Sequence, residues 1–166
     1  MRYHLPVIIL LFFIVTFGFS QDTIKLSTST VVVVKSTTSL SSKKLKTGQE
    51  LVLIVAADVV VKGKTVVKAG TPVVCVVESA ESAGMVGQAG KLTISVQSTT
   101  AVDGSTIALS GNFYTKGESK TGTSIAAGVI LCPLALLCKG EEGDIAAGAQ
   151  SRALTLGEHE IVIPEK

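Results

Sequence analysis

The sequence predicts an all-β fold, a small antiparallel β-barrel or sandwich of about seven to nine short strands. Valine, threonine and serine dominate the chain after residue 20, and branching at Cβ favours extended strands. Glycines recur at short intervals, as they do in hairpin turns. No stretch after residue 20 repeats apolar residues at the 3.6-residue spacing of an amphipathic helix.

Residues 1–20 have the pattern of a secretory signal peptide. Arg2 supplies a positive start, Val7 to Phe19 is almost unbroken apolar sequence, and the small Ser20 precedes the cleavage point. The apolar run is about 13 residues long, whereas a membrane-spanning helix needs roughly 20. We therefore expect an exported chain with a single β-rich domain over residues 21–166. Its expected location is the periplasm, the outer membrane or the medium.

The composition after residue 20 excludes several kinds of site. One histidine, His159, and two aromatic residues, Phe113 and Tyr114, remain there. Removing Arg2 from the 15 basic residues leaves 14, against 13 acidic residues. A multi-histidine zinc site and an aromatic platform are thereby excluded, and no basic surface for nucleic acid is expected. We expect no cofactor, and the sequence identifies no small-molecule ligand.

The first half of the domain predicts strands separated by polar turns. Ile24 to Lys35 is expected to be the first strand, and Ser36 to Lys46 a loop or edge segment. Glu50 to Lys62 is expected to be one long strand that bends at Asp58. A tight turn at Lys62-Gly63-Lys64 then reverses the chain.

The return strand is expected at Thr65 to Lys68, followed by a turn around Gly70. Val73 to Glu78 predicts another strand, and Ser79 to Gly90 a loop, because that stretch holds three glycines and several small residues. The turn glycines Gly63, Gly70, Gly104 and Gly148 are expected to adopt a φ that other residues disfavour.

Strict alternation in Lys91 to Gln97 places Leu92, Ile94 and Val96 on one face of a strand. Asp103-Gly104 between this strand and the next predicts a hairpin with a type I′ turn. On the return strand Ile107 and Leu109 share a face. A further strand begins near Arg152, with Ala153 and Thr155 on one side and Leu154 and Leu156 on the other. Ile161 to Ile163 is expected to pair at the end.

Ser124 to Cys138, SIAAGVILCPLALLC, is the most apolar stretch after residue 20, and we call it the apolar segment. At about 15 residues, with Gly128 and Pro133 inside it, it is too short for a spanning helix. Three interpretations remain open: a core strand or short helix that plugs one end of the barrel, a re-entrant hairpin in a membrane, or a patch that contacts a partner. The residues expected to make a membrane or partner contact are Ile125, Val129, Ile130, Leu131, Leu134, Leu136 and Leu137.

Cysteine and carboxylate residues offer few alternatives for chemistry. Cys132 and Cys138 flank five residues and could close a small disulfide loop, while Cys75 lies within a valine run typical of buried positions. A hydrolase would need His159 as its imidazole base, paired with Cys75 or Cys138, or a carboxylate site. Glu141, Glu142 and Asp144 do not have the spacing of a calcium loop and are expected in a solvated turn. The sequence therefore favours a non-enzymatic protein.

Residues 37 to 110 resemble a domain of exported bacterial envelope proteins of unassigned function. The resemblance lies in the order of a series of turns. They are Ser41 to Glu50, Asp58-Val-Val-Val-Lys-Gly63, Val67-Lys-Ala-Gly-Thr-Pro72, Gly87 to Leu92, and Val102-Asp-Gly-Ser105. The resemblance implies no functional residue.

A second similarity extends further along the chain, to the outer-membrane barrel subunit of conjugation and type IV secretion machines. Val67 to Thr71, Asp103 to Leu109, the apolar segment and Ile145 to Ala149 follow one another in the same order. This similarity implies a barrel topology. Within the chain, Val67 to Val73 also resembles Ile145 to Ser151, since each leads through Ala-Gly into a strand.

The expected function is a structural or interaction role in the bacterial cell envelope. The expected partners are envelope proteins or the membrane surface, and an oligomer is compatible with the sequence. The first alternative is a membrane-associated barrel component that inserts residues 124–138. The second is the hydrolase with a cysteine or carboxylate site.

Overall fold

The computed structural model of the chain describes residues 22–119 and 139–163. Their regular structure comprises twelve β-strands, so the predicted all-β class is confirmed. The strands are β1 Asp22–Leu26, β2 Val31–Lys35, β3 Leu40–Ser41, β4 Glu50–Val55, β5 Val59–Val61, β6 Lys64–Val67, β7 Pro72–Glu81, β8 Lys91–Thr100, β9 Thr106–Lys116, β10 Asp144–Ile145, β11 Gln150–Thr155 and β12 His159–Ile163.

Six strands form a closed antiparallel barrel in the order β11–β2–β4–β7–β8–β9, with β9 returning to β11. The β7–β8 and β8–β9 ladders are long, whereas β2–β4 and β9–β11 share two residue pairs each. Register shifts interrupt both long ladders. Such bulges bend a strand and increase its twist, which allows a narrow sheet to close. Closure leaves these valine-rich strands without the long open edges that invite aggregation.

The barrel interior is filled by alternate side chains of its strands. On β8, Leu92 and Ile94 are 0% exposed and Val96 is 2% exposed. On β11, the small Ala153 is 0% exposed. Gly111 of β9 packs closely against it, since a Cβ on Gly111 would lie 2.7 Å from the Ala153 Cα. These positions confirm the facial pattern that the alternation predicts.

Strand β7 begins with a turn at residues 68–71, in which Gly70 has a φ of +82°. The Gly70 amide donates to the Val55 carbonyl at 2.8 Å, and the Val55 amide donates to the Thr71 carbonyl at 2.9 Å. A bond from the Thr71 amide to the Lys68 carbonyl closes the turn at 3.2 Å. The turn therefore fixes the start of β7 against the end of β4, in a conformation that favours glycine.

The same turn begins β4 and β11. Gly48 and Gly148 have φ of +82° and +85°. The Gly48 amide donates to Val77 and the Gly148 amide to Ser36, each at 2.8 Å. In both cases the acceptor residue donates back to the residue after the glycine, at 2.9 Å. The resemblance between the sequences around Gly70 and Gly148 thus corresponds to one turn geometry.

A serine occupies the equivalent position before β2. Ser29 has a φ of +68°, its amide donates to the Thr155 carbonyl at 2.9 Å, and the Thr155 amide donates to Thr30 at 3.0 Å. The Thr155 hydroxyl accepts from the Thr30 amide and donates to the Ser27 carbonyl, so it replaces the bond that closes the other turns. We call the four turns, at residues 27–30, 46–49, 68–71 and 146–149, the strand-initiating turns.

The strand-initiating turns work in pairs. The amide of each positive-φ residue donates to the carbonyl of a residue that lies seven positions after the positive-φ residue of another turn. The turns therefore hold the β4–β7 pair and the β2–β11 pair at both ends. Each bracketed pair therefore has an approximate twofold relation. The four seventh residues are 0–1% exposed and are Ser36, Val55, Val77 and Thr155.

Short strand pairs cover both ends of the barrel. At the end where β8 turns into β9, the β5–β6 hairpin bonds to the loop through the Val102 amide and Val66 carbonyl at 3.0 Å. The β1–β12 pair reaches the same loop, where the Val162 amide donates to the Asp103 carboxylate at 3.0 Å. At the opposite end lies the β3–β10 pair, with Leu40 and Ile145 buried.

Two predicted strands are each divided in the structure. Ile24 to Lys35 forms β1 and β2, because the turn at Ser29 separates them. Glu50 to Lys62 forms β4 and β5, and the Ala69 amide donates to the Asp58 carboxylate at 2.6 Å beside this division. The described residues form twelve strands rather than the predicted seven to nine. Besides these two divisions, the structure adds β3 and β10, which are two residues long and therefore too short to show an alternating pattern in the sequence.

Two further details differ from prediction. Strand β7 continues to Glu81, beyond the predicted end at Glu78, because its ladder with β8 continues to Lys91. The predicted type I′ turn at Asp103-Gly104 is wrong, since Asp103 does not have a positive φ. Bonds from Ala101 to Ser105 and from Gly104 to Ala101 form a three-residue loop instead.

One turn with two positive φ angles lies at Lys62-Gly63, with values of +51° and +79°. Two such angles define the type I′ geometry, and the turn joins β5 to β6. The other expected turn glycines, Gly70, Gly104 and Gly148, have φ of +82°, +87° and +85°.

Among residues 22–119 and 139–163, the structure contains no helix with the length and apolar character needed to span a bilayer.

Replacing the glycine of a strand-initiating turn should destabilise the barrel, whereas Ser29→Gly should not. Gly148 has no neighbour within 4 Å of a Cβ position, so Gly148→Ala tests the backbone alone. A left-handed conformation costs an L-residue about 1–2 kcal/mol, partly offset by the lower entropy of the unfolded chain. We expect a loss of about 1 kcal/mol in thermal or urea unfolding. Equal stability of Gly148→Ala and the unaltered protein would contradict the role given to the turn.

Candidate functional site

Two arms of the chain, residues 117–119 and 139–143, lie on either side of the stretch that contains the apolar segment, and they meet at one end of the barrel. The Glu141 amide donates to the Glu118 carbonyl at 3.2 Å. The arms lie where β9 ends and β8 begins, since the terminal residues of these strands pair with each other. We call this meeting point the base.

The loop over residues 82–90 bonds to both arms. The Gly90 carbonyl accepts from the Gly117 amide at 2.9 Å, while the Gly90 amide donates to the Glu141 carbonyl at 2.8 Å. The Gly140 amide donates to the same loop at 3.2 Å. The base is therefore a three-part backbone network of loop, first arm and second arm.

The Glu142 carboxylate joins three segments at the base. Its Oε2 accepts from the Ala83 amide at 2.8 Å and from the Ser42 hydroxyl at 3.0 Å. Its Oε1 accepts from the Lys139 ammonium at 2.9 Å. The Glu142 side chain is 17% exposed, so most of it is enclosed by these partners.

Ser42, which follows β3, completes the network from the other side. Its amide donates to the Gly143 carbonyl at 3.0 Å, and its hydroxyl accepts from the Gly143 amide at 3.0 Å. The same hydroxyl donates to Glu142, so Ser42 uses its donor and its acceptor at once. The side chain is almost fully buried, which makes these bonds stronger than solvated ones. We call Ser42, Ala83, Lys139, Glu142 and Gly143 the Glu142 clamp.

Hydrogen bonding lowers the pKa of Glu142 from 4.5 to about 2. The Lys139 ammonium is the largest cause of the lowered pKa, followed by the Ala83 amide; burial opposes them by raising the pKa, and the Ser42 hydroxyl adds a smaller lowering. A carboxyl whose pKa falls on folding stabilises the folded state above its ordinary pKa. That contribution is lost as the pH falls from about 4.5 towards 2. The clamp is therefore charged and fully formed at neutral pH.

Close backbone approach requires glycine at several positions of the base. A Cβ on Gly117 would overlap the Glu141 carbonyl, and one on Gly140 would overlap the Gln88 carbonyl. A Cβ on Gly90 would lie 2.7 Å from the Ser42 hydroxyl and 2.9 Å from a backbone amide. These glycines serve close packing, since none of the three has a positive φ.

Several residues expected at a site lie outside the described ranges. They are the disulfide candidates Cys132 and Cys138 and the contact residues Ile125, Val129, Ile130, Leu131, Leu134, Leu136 and Leu137. The expected signal peptide at residues 1–20 lies outside them as well. These expectations remain predictions.

The groups considered for a hydrolase occupy different parts of the fold. Cys75 lies inside the barrel, fully buried, and burial raises the pKa of its thiol to about 11. His159 begins β12, the strand that pairs with β1, and its ring lies 2.9 Å from the Leu156 carbonyl oxygen. A high thiol pKa lowers the thiolate population, which is the nucleophilic form.

The expectation of a solvated turn at Glu141, Glu142 and Asp144 is wrong for Glu142. Its carboxylate is held by Ser42, Ala83 and Lys139. In the described part of the chain, no group of three His, Cys, Asp or Glu side chains lies together as metal ligands would.

Sequence reasoning did not find Ser42, Ala83 or the packing role of Gly90 and Gly117. Ser42 is one of many serines in a polar stretch, and its partner Glu142 lies 100 positions away. Glycine density in residues 84–90 and 140–143 was the available signal, because glycine also marks close backbone approach. That signal does not distinguish packing glycines from turn glycines.

No family model matches the chain, and no curated protein matches it. Among solved structures, the chain is similar to ComB10 of the Com type IV secretion system of Helicobacter pylori. The two are 10% identical, the match covers 86% of this chain and 93% of that chain, and the TM-score is 0.43.

Gly117→Ala should destabilise the base, while Gly84→Ala should be tolerated. At Gly117 the obstacle is the Glu141 backbone, whereas a Cβ on Gly84 would meet the flexible end of the Gln88 side chain at 2.7 Å. Overpacking against a fixed backbone costs about 1–3 kcal/mol. Native-state hydrogen exchange of the Gly90 amide, which bonds to the second arm, measures the local stability of the base in both variants. Equal stability of the two variants would show that the arms do not approach as closely as described.

Proposed function

We propose that this chain is a non-enzymatic, exported β-barrel domain with a structural or interaction role in the bacterial cell envelope. Its contact element is the apolar segment at residues 124–138. The observation that carries the proposal is the base, where the arms on either side of that segment are joined at one end of a closed barrel.

The filled barrel core supports this function. Among the described residues, one continuous cluster of buried apolar side chains runs through the barrel and its end covers. Leu92, Ile94 and Ile107 at its centre are 0% exposed. A segment this apolar needs a cover, since large apolar patches on soluble proteins mark interaction or membrane surfaces. We infer that the cover comes from a partner or a lipid surface in the envelope.

A second candidate function is a membrane-associated barrel component that inserts residues 124–138. The joined arms favour it, because the Glu118–Glu141 bond makes the intervening chain begin and end at the same point. That arrangement suits a hairpin that enters and leaves a lipid surface on one side. The segment is too short for a single spanning helix, which needs roughly 20 residues.

Replacing Leu134 and Leu136 together by Asp should abolish envelope association without unfolding the barrel. Charged side chains oppose transfer into lipid or into an apolar interface. The measurements are the thermal midpoint, the membrane fraction of expressing cells, and flotation with phosphatidylethanolamine–phosphatidylglycerol vesicles. We expect an unchanged midpoint and loss of the protein from the membrane fraction.

The matched control replaces Leu154 and Leu156 by Asp. This pair has the same spacing and is 43% and 51% exposed on the barrel. The control should leave association intact. Envelope association without vesicle binding would indicate a protein partner, and binding to both would favour the membrane component. Unfolding of the Leu134/Leu136 variant, or an unaltered protein that is wholly soluble in cells, would contradict the proposal.

A further inference from the structure

We propose that Glu142 is a positioning residue that holds both arms of the apolar segment at the end of the barrel. Its importance for contact with a partner or membrane rests on the proposed function. Its effect on the base is a property of the barrel domain alone.

Glu142 reaches the second arm directly and the first arm through the loop at residues 82–90. It binds Lys139 within the second arm and the Ala83 amide at the start of the loop. The loop in turn accepts from the first arm, through the Gly90 carbonyl and the Gly117 amide at 2.9 Å. Ser119 adds a bond from its hydroxyl to this loop at 3.3 Å. Loss of the carboxylate therefore loosens the loop and both arms together.

The clamp lies beyond the barrel ladders, so the barrel does not depend on it. The β7–β8 ladder ends at the pair Glu81 and Lys91, and the β8–β9 ladder ends at Lys91 and Lys116. Ala83 and Gly117 follow these last pairs in the chain. Segments outside the main ladders open locally at lower free energy than the core does. A change at Glu142 should therefore be confined to the base.

Charge is essential to the clamp because one carboxylate serves three donors. Glutamine at this position keeps the shape but loses the negative charge and replaces one acceptor oxygen with a donor amide. Its carbonyl oxygen could still accept from the Ala83 amide and the Ser42 hydroxyl, as Oε2 of Glu142 does, but without the negative charge, and its amide group cannot accept from the Lys139 ammonium. Hydrogen bonds to a charged group contribute more than neutral ones.

Native-state hydrogen exchange on the full chain tests the clamp. In Glu142→Gln, the amides of Ala83, Gly90 and Gly143 should exchange faster, by about tenfold, because each is bonded within the base. Amides in the β8–β9 ladder should be unchanged. Glu118→Gln is the matched control, since it removes the same charge from the exposed first arm. It should alter neither set.

Unchanged exchange at Ala83 and Gly143 in Glu142→Gln would overturn the proposal. Equal acceleration of the barrel amides would also overturn it, because Glu142 would then support the whole fold. If Glu142→Gln does not fold, Ser42→Ala provides the same test, since it removes the acceptor of Gly143 and a donor to Glu142.

Vesicle flotation separates positioning from local stability. With an unchanged thermal midpoint, Glu142→Gln should float less than the unaltered protein, and Glu118→Gln should float equally well. Equal flotation of Glu142→Gln, despite faster exchange at the base, would overturn the positioning role. An unaltered protein that binds neither vesicles nor membranes would overturn the proposed function, while the exchange result would still decide whether the clamp exists.

Discussion

Four of the six barrel strands begin with the same left-handed turn, and these turns fix how the strands align in two pairs of the barrel. Each strand-initiating turn bonds to a residue that lies seven positions after the left-handed residue of another such turn. The register of β4 with β7 and of β2 with β11 is therefore set at both ends. A one-residue slip would turn the inward valines to solvent, which makes such fixing valuable. Gly48, Gly70 and Gly148 supply the conformation directly, while Ser29 depends on the Thr155 side chain for its closing bonds.

The fold class and the clearest hairpins could be predicted, because alternation and turn glycines are local signals. Leu92, Ile94 and Val96 followed their pattern to the interior. The division of the first predicted strand at Ser29 could not be predicted, because nothing in the neighbouring sequence indicates that this serine has a positive φ. It needs Thr155, which lies far along the chain. Strand pairs of two residues, such as β3 and β10, are equally invisible to periodicity.

The residues of the base could not be predicted from local sequence signals either. Ser42, Ala83 and Glu142 meet because β3, the loop after β7 and the second arm converge at one end of the barrel. Each residue alone is ordinary for a polar loop. Only the tertiary arrangement gives the serine hydroxyl and the carboxylate their joint role. The apolar segment was evident from composition, whereas the network that holds its flanks depends on contacts between distant residues.

The central proposal is that the barrel folds without the apolar segment, whose role is contact with a partner or a membrane in the envelope. The most direct test is excision of residues 120–138, with Ser119 joined to Lys139 by a linker of about four glycine and serine residues. The Glu118 carbonyl and Glu141 amide are 3.2 Å apart, so a short linker can join the arms. A shorter loop costs slightly less entropy to close. The account predicts a folded barrel with an equal or slightly higher thermal midpoint and no membrane association. A variant that fails to fold would show that the segment is part of the core and would contradict the account.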